Sequence, residues 1–244
     1  MSGPNIDLEK PNAIGGLDRL VTNFALSAIA VFPTFWTCIA MPWRLRPLLD
    51  RDDPDGSMGM LLAPGAFFPL TLMVSFLMGA ALSTPETVSN NGSFIGPDLA
   101  VSVQSAASKG DIWKIIATVM PLYGASIYIG LLGVTLKRWT HQAWTLRVSL
   151  RAAFYVMAVL ISWIILTTAV IDLIWLKTGK NDIFQTSFLF VTIPALGFFF
   201  WIYFWFFRND GAVSKIRSAA LTLSMFGLLF SPMVGIDLLI RFLK

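Results

Sequence analysis

Five uninterrupted apolar runs, at residues 59–83, 115–136, 152–176, 183–207 and 218–240, decide most of what this chain can become. Each supplies the roughly 20 helical residues that cross a ~30 Å hydrocarbon core. Backbone in lipid must satisfy its own hydrogen bonds, and a continuous apolar run does so as a helix. A barrel strand would instead alternate apolar and polar residues over about ten positions. Composition points the same way. The chain is 56% hydrophobic and 13% charged, where a soluble domain carries about 25% charged residues. So few charges could not clothe the water-facing surface of 244 residues. An ordinary soluble enzyme, a nucleic-acid reader and a disordered chain are excluded. The expected fold is an all-α polytopic membrane protein with five transmembrane helices.

A sixth run, 20–41, is uncharged but two-sided. Asp18, Arg19, Thr22, Asn23 and Ser27 share one half of a helical wheel, and Leu17, Leu20, Val21, Phe24, Ala28, Val31 and Phe32 share the other. That segregation marks an interfacial amphipathic helix that dips into the membrane. Pro33 is expected to interrupt it. The alternative is six transmembrane helices. The chain then divides into a tail (1–16), an interfacial helix with a cytoplasmic entry loop (17–57) and a five-span membrane domain (58–244). Acidic residues and prolines in the first 19 positions argue against a cleaved signal.

Lys and Arg concentrate in cytoplasmic loops. With five spans and a cytoplasmic N-terminus, Lys109, Lys114, Lys177, Lys180, Arg241 and Lys244 lie outside, and the other 12 of the 18 Lys and Arg residues lie inside. A sixth span moves Lys10 and Arg19 outward and erodes this bias. The expectation is N-in, C-out. The connection 84–112 is then the one sizeable external feature, with a short helix expected over its second half, from Asp98 to Ser108.

Conventional chemistry finds few components. One Cys (Cys38) and one His (His141) cannot build a metal, haem or iron–sulfur site, and no cofactor is expected. The segment 50–56 has the acids and glycine of a calcium loop but lacks both end ligands, since Arg51 and Leu62 occupy them. It reads as a polar turn. Asp172 and Asp237 are the only carboxylates inside predicted spans. An acid in a span defaults to a relay hypothesis, but both lie near the outer helix ends, close to Lys177 and Arg241, where they reach the interface. Pro69, Pro121, Pro194 and Pro232 give four spans a kink, for packing or to line a cavity.

Surfaces are better represented. Ser75 with Gly79, and Ser126 with Gly130, place small residues four apart, with Gly133 nearby. Such pairs permit close helix approach, within the chain or to a second copy. Lys137, Arg138, Trp139, Trp144 and Arg147 form a basic, aromatic loop suited to lipid headgroups. The aromatic run 198–207 covers every helix face and is read as a lipid-exposed girdle.

Two stretches carry a resemblance. Leu136, Lys137, Arg138 and Trp139, followed by Trp144, Thr145, Leu146, Arg147, Val148 and then Tyr155, resemble the second cytoplasmic loop of the Yip1 family. Phe35, Trp36, Pro42, Trp43, Arg44 and Leu45, followed by Leu61, Leu62, Ala63 and Pro64, resemble the entry to the first span in its bacterial members. Pro121, Leu122, Tyr123 and Gly124 sit within a span and lack the Asp of the eukaryotic motif, so that branch's vesicle-traffic role is not carried over. The resemblance covers roughly residues 30–240. It implies a multi-pass protein of the bacterial inner membrane that acts by interaction or membrane organisation.

Three functions compete. A non-enzymatic organiser or accessory subunit, with lipids and a protein partner or homo-oligomer as its contacts and no nucleic acid, ranks first. A small-solute or ion transporter or channel component, using the Pro-containing spans and the two acids, is the alternative. A lipid-acting enzyme ranks last, because it lacks a paired catalytic set.

Overall fold

The computed structural model describes residues 13–50, 61–82, 97–136, 145–178, 183–208 and 215–242. Among them all regular structure is helical: α1 (Ala13–Ala40), a 3-10 turn (Pro42–Leu45), α2 (Arg46–Asp50), α3 (Pro64–Leu82), α4 (Pro97–Ser108), α5 (Ile112–Thr135), α6 (Leu146–Thr178), α7 (Ile183–Arg208) and α8 (Lys215–Phe242). Among the described residues, four stretches have the length and apolarity to cross a bilayer, namely Pro64–Leu82, Ile112–Thr135, Leu146–Ile171 and Phe190–Arg208. That is the helix set of a multi-pass membrane protein. The fifth run lies inside α8, a single helix.

The bundle is built around α6, against which α3, α5 and α7 all pack. Its buried face alternates small and large residues, with Ala152, Ala153, Tyr155, Val156, Ala158, Val159, Ser162, Ile165 and Ala169 all enclosed. Small side chains let three neighbours approach one helix, which lipid-embedded packing requires. The outer helix α8 lies on α7 and reaches α5, while α4 is lodged against α3 and α5.

Helix ends follow local chemistry. Met41 sits at φ −142°, ψ 56° and ends α1, because the Pro42 ring disfavours helical backbone in the residue before it. Pro64 opens α3 and Pro97 opens α4, at the position where a missing N–H costs nothing. Gly110, at φ 68°, turns the chain out of α4, and the Asp111 N–H then closes on the Ala106 carbonyl at 2.9 Å. This left-handed position suits glycine. Asp111 then caps α5 by accepting the Lys114 N–H at 3.0 Å. The short helix expected from Asp98 to Ser108 is therefore present, tied to α5 by a three-residue turn.

Three expectations are corrected. Pro33 does not interrupt α1, which runs from Ala13, ahead of the boundary drawn at residue 17, through Pro33 to Ala40. The Thr34 hydroxyl donates to Ala30 O at 2.8 Å and the Thr37 hydroxyl to Pro33 O at 2.7 Å. Each hydroxyl bonds the carbonyl four residues before it and so stays satisfied within the helix. The aromatic run 198–207 is not a lipid-facing girdle: Phe199, Ile202, Tyr203, Phe206 and Phe207 are buried. Their spacing of three and four residues makes one inward stripe, packed against α6 and α8. Arg147 belongs to the first turn of α6 rather than to a loop, because Thr145 starts that helix, its Oγ1 accepting the Val148 N–H at 3.3 Å.

Candidate functional site

The small residues singled out in the sequence do internal work. Ser75 donates to the Ser162 hydroxyl at 2.7 Å, joining α3 to α6. Gly130 lies against α6 so closely that a Cβ there would stand 2.6 Å from Leu150 Cδ2 and 3.0 Å from Leu150 Cα. The adjacent Ser149 hydroxyl donates to the Gly130 carbonyl at 2.6 Å. Gly79, Ser126 and Gly133 are buried as well, and Ser126 donates back to Leu122 O at 2.8 Å.

One end of the bundle is closed by the segment from Thr34 to Leu49. The Tyr155 hydroxyl donates to Leu62 O at 2.7 Å, and the Leu62 N–H donates to Thr34 Oγ1 at 2.9 Å. Arg151 Nη1 reaches Leu48 O at 3.3 Å and Leu49 O at 3.1 Å, placing a cation on the carbonyl end of α2. The Trp201 indole donates to Ile39 O at 2.8 Å. Trp43 packs on Trp205 at 4.7 Å, and the Arg208 guanidinium lies 4.6 Å over the same ring. Cys38 is fully enclosed within this closure. The buried hydroxyls of Tyr203 and Ser218 and the Trp205 indole N–H find no hydrogen-bond partner among the described residues.

A second feature was not legible in the sequence. Between α3, α4 and α5 runs a half-open cleft of about 350 Å³. Pro69, Leu72, Met73, Phe76, Leu77 and Ala80 form its α3 wall. Val103, Gln104 and Ala107 of α4 and Ile115, Val119 and Tyr123 of α5 complete it. The Tyr123 ring on its wall packs onto the aromatic core, with Phe68 edge-on to Tyr123 at 4.9 Å and against Phe154 at 5.2 Å. Of the span prolines, Pro69 lines it.

The remaining expected residues divide. Asp172 lies on α6 and Asp237 on α8, but their side-chain surroundings fall outside the described residues. So do Lys137, Arg138, Trp139, His141 and Trp144, and 51–56 of the polar turn. Arg147 is exposed. Among the described residues, no group of three or more His, Cys, Asp or Glu side chains comes together. No family model, curated protein or solved structure matches this chain.

Proposed function

We propose that this chain is a five-span, Yip1-like protein of the bacterial inner membrane, N-in and C-out, that works without catalysis as a membrane organiser or accessory subunit. The observation that carries the reading is the asymmetry between α6 and α5. The core helix is consumed by internal packing. By contrast, α5 is the least buried of the four spanning stretches and turns Trp113, Ile116, Met120, Ile127, Tyr128 and Leu131 outward. Aromatic and aliphatic side chains on a peripheral helix form a face for lipid or for another helix. The small residues, being engaged inside the chain, leave that outward face as the contact surface.

Site-directed photo-crosslinking tests this. A crosslinker at Met120 or Ile127 is expected to join the chain to one discrete protein mass, with Ile216 at the start of α8 as the unreactive control. A particle that stays monomeric by native mass measurement in mild detergent, with crosslinks to lipid alone, would overturn the partner reading.

A further inference from the structure

We infer that the cleft between α3, α4 and α5 is a binding site for one anionic glycerophospholipid, with an acyl chain in the cleft and the phosphate at Lys109 and Lys114. The inference rests on the transmembrane placement of α3 and α5, not on the existence of a protein partner.

The shape selects a chain. From Pro69 to Ala80 the α3 wall extends about 16 Å at ~1.5 Å per residue, so the cleft is long. Its apolar walls and open side accommodate an extended hydrocarbon chain lying along α3. The cleft exists because α4, at 12 residues, is too short to span. It packs against α3 and α5 and lines part of the groove between them. Apart from Gln104 and the Tyr123 hydroxyl, the walls offer only apolar side chains.

The end beside the α4–α5 turn selects the headgroup. Lys109 follows Ala107 by two residues and Lys114 precedes Ile115, and both lysines are exposed. The acid between them, Asp111, is engaged with the Lys114 N–H at 3.0 Å. The three side chains together carry a net positive charge. Trp113, 81% exposed, marks this as the headgroup level, where Trp is enriched and lysine stems snorkel. Phosphate at that level meets two ammonium groups while the acyl chain descends between α3 and α5 towards Tyr123.

Native mass spectrometry of the full chain tests the inference. The chain is released from nanodiscs of equal phosphatidylglycerol and phosphatidylcholine. One lipid per chain should be retained, mainly phosphatidylglycerol. Ala107→Trp fills the cleft from its exposed rim and should lower retention about tenfold, the factor set by ~1.4 kcal/mol. Lys109→Gln with Lys114→Gln should keep the cleft but reduce the preference for the anionic lipid about fivefold or more, the worth of a lysine beside an anionic surface. Equal retention by Ala107→Trp with an unchanged melting temperature would overturn the site. If that variant does not fold, spin-labelled phosphatidylglycerol on the wild-type chain decides instead. A motionally restricted component displaced by unlabelled phosphatidylglycerol supports the site, and its absence overturns it. A monomer that retains one lipid would leave this inference standing while the partner reading falls.

Discussion

The hydroxyl of Tyr155 on α6 donates to the carbonyl of Leu62 at 2.7 Å, tying the core helix to the residue just ahead of α3. The same residue turns its N–H to Thr34 Oγ1, so one pair of bonds fastens α1, the entry to α3 and α6 together. Tyr203, equally enclosed on α7, has no partner for its hydroxyl among the described residues. The two tyrosines therefore answer the same substitution differently. Tyr155→Phe strands a carbonyl and should cost about 1–2 kcal/mol, whereas Tyr203→Phe removes an unpartnered polar atom and should be neutral or stabilising. Thermal unfolding in detergent, followed by tryptophan fluorescence, checks the order. A larger loss for Tyr203→Phe would contradict it.

Gly130 and Gly124 offer a second contrast on α5. A Cβ at Gly130 meets the backbone of Leu150 at 3.0 Å as well as its side chain, and backbone cannot rotate away. Gly130→Ala should force α5 off α6 at about 1–3 kcal/mol. At Gly124 nothing lies within 4 Å, and Gly124→Ala should stabilise the helix by up to about 1 kcal/mol. Unfolding midpoints of both variants test the pair. Equal effects would mean that α5 and α6 are not in contact at Gly130.

Cys38 reports on the closure of the bundle end. It is 0% exposed, so a membrane-permeant maleimide should label it only when α1 lifts away. Arg151→Met removes the donor to Leu48 O and Leu49 O and should speed labelling by loosening α2. Reduced labelling times are read by mass shift on the folded protein. Fast labelling of the unmodified chain would show that the last turns of α1 are undocked.

Hydrophobic length was legible from the residues; the direction each face points was not. In water, burial and apolarity coincide, so periodicity marks the core. In a bilayer the lipid-facing side is as apolar as the buried one. Phe190 is 66% exposed and Phe199 is 2% exposed on the same helix, and nothing in their type distinguishes them. The misreading of the aromatic run has this cause. On α1 the relation is even inverted: Thr34, Thr37 and Cys38 are buried while Leu26, Ile29, Phe32 and Trp36 face outward. The small-residue pairs were recognisable because close backbone approach demands them wherever the face points. The cleft was hidden because it depends on where α4 lodges, which no local pattern specifies. The Thr34–Leu62–Tyr155 chain joins segments 28 and 93 residues apart, and Pro64 alone hinted at an ordered entry to α3.

The last prediction concerns orientation. Arg151 touching α2, Arg208 over Trp205 and the Trp201 bond to Ile39 bring the ends of α1 and α7 and the start of α6 to one end of the bundle. Arg44, Arg46, Arg147, Arg151 and Arg208 belong to these segments. Lys109 lies in the turn between α4 and α5 and Lys114 in the first turn of α5, at the far end of α5 from Gly130. Cations favour the cytoplasmic side because translocating them is costly, so the arginine-rich end should face the cytoplasm. With five spans the C-terminus then lies outside. A reporter fused after Lys244 that is active only in the cytoplasm should be silent, and one that is active only outside should give signal. A fusion inserted after Gly110 should behave as the C-terminal one does. A cytoplasmic signal after Lys244 with an external signal after Gly110 would keep the bundle's orientation and remove a span from α8. Cytoplasmic signals at both sites would reverse the orientation itself.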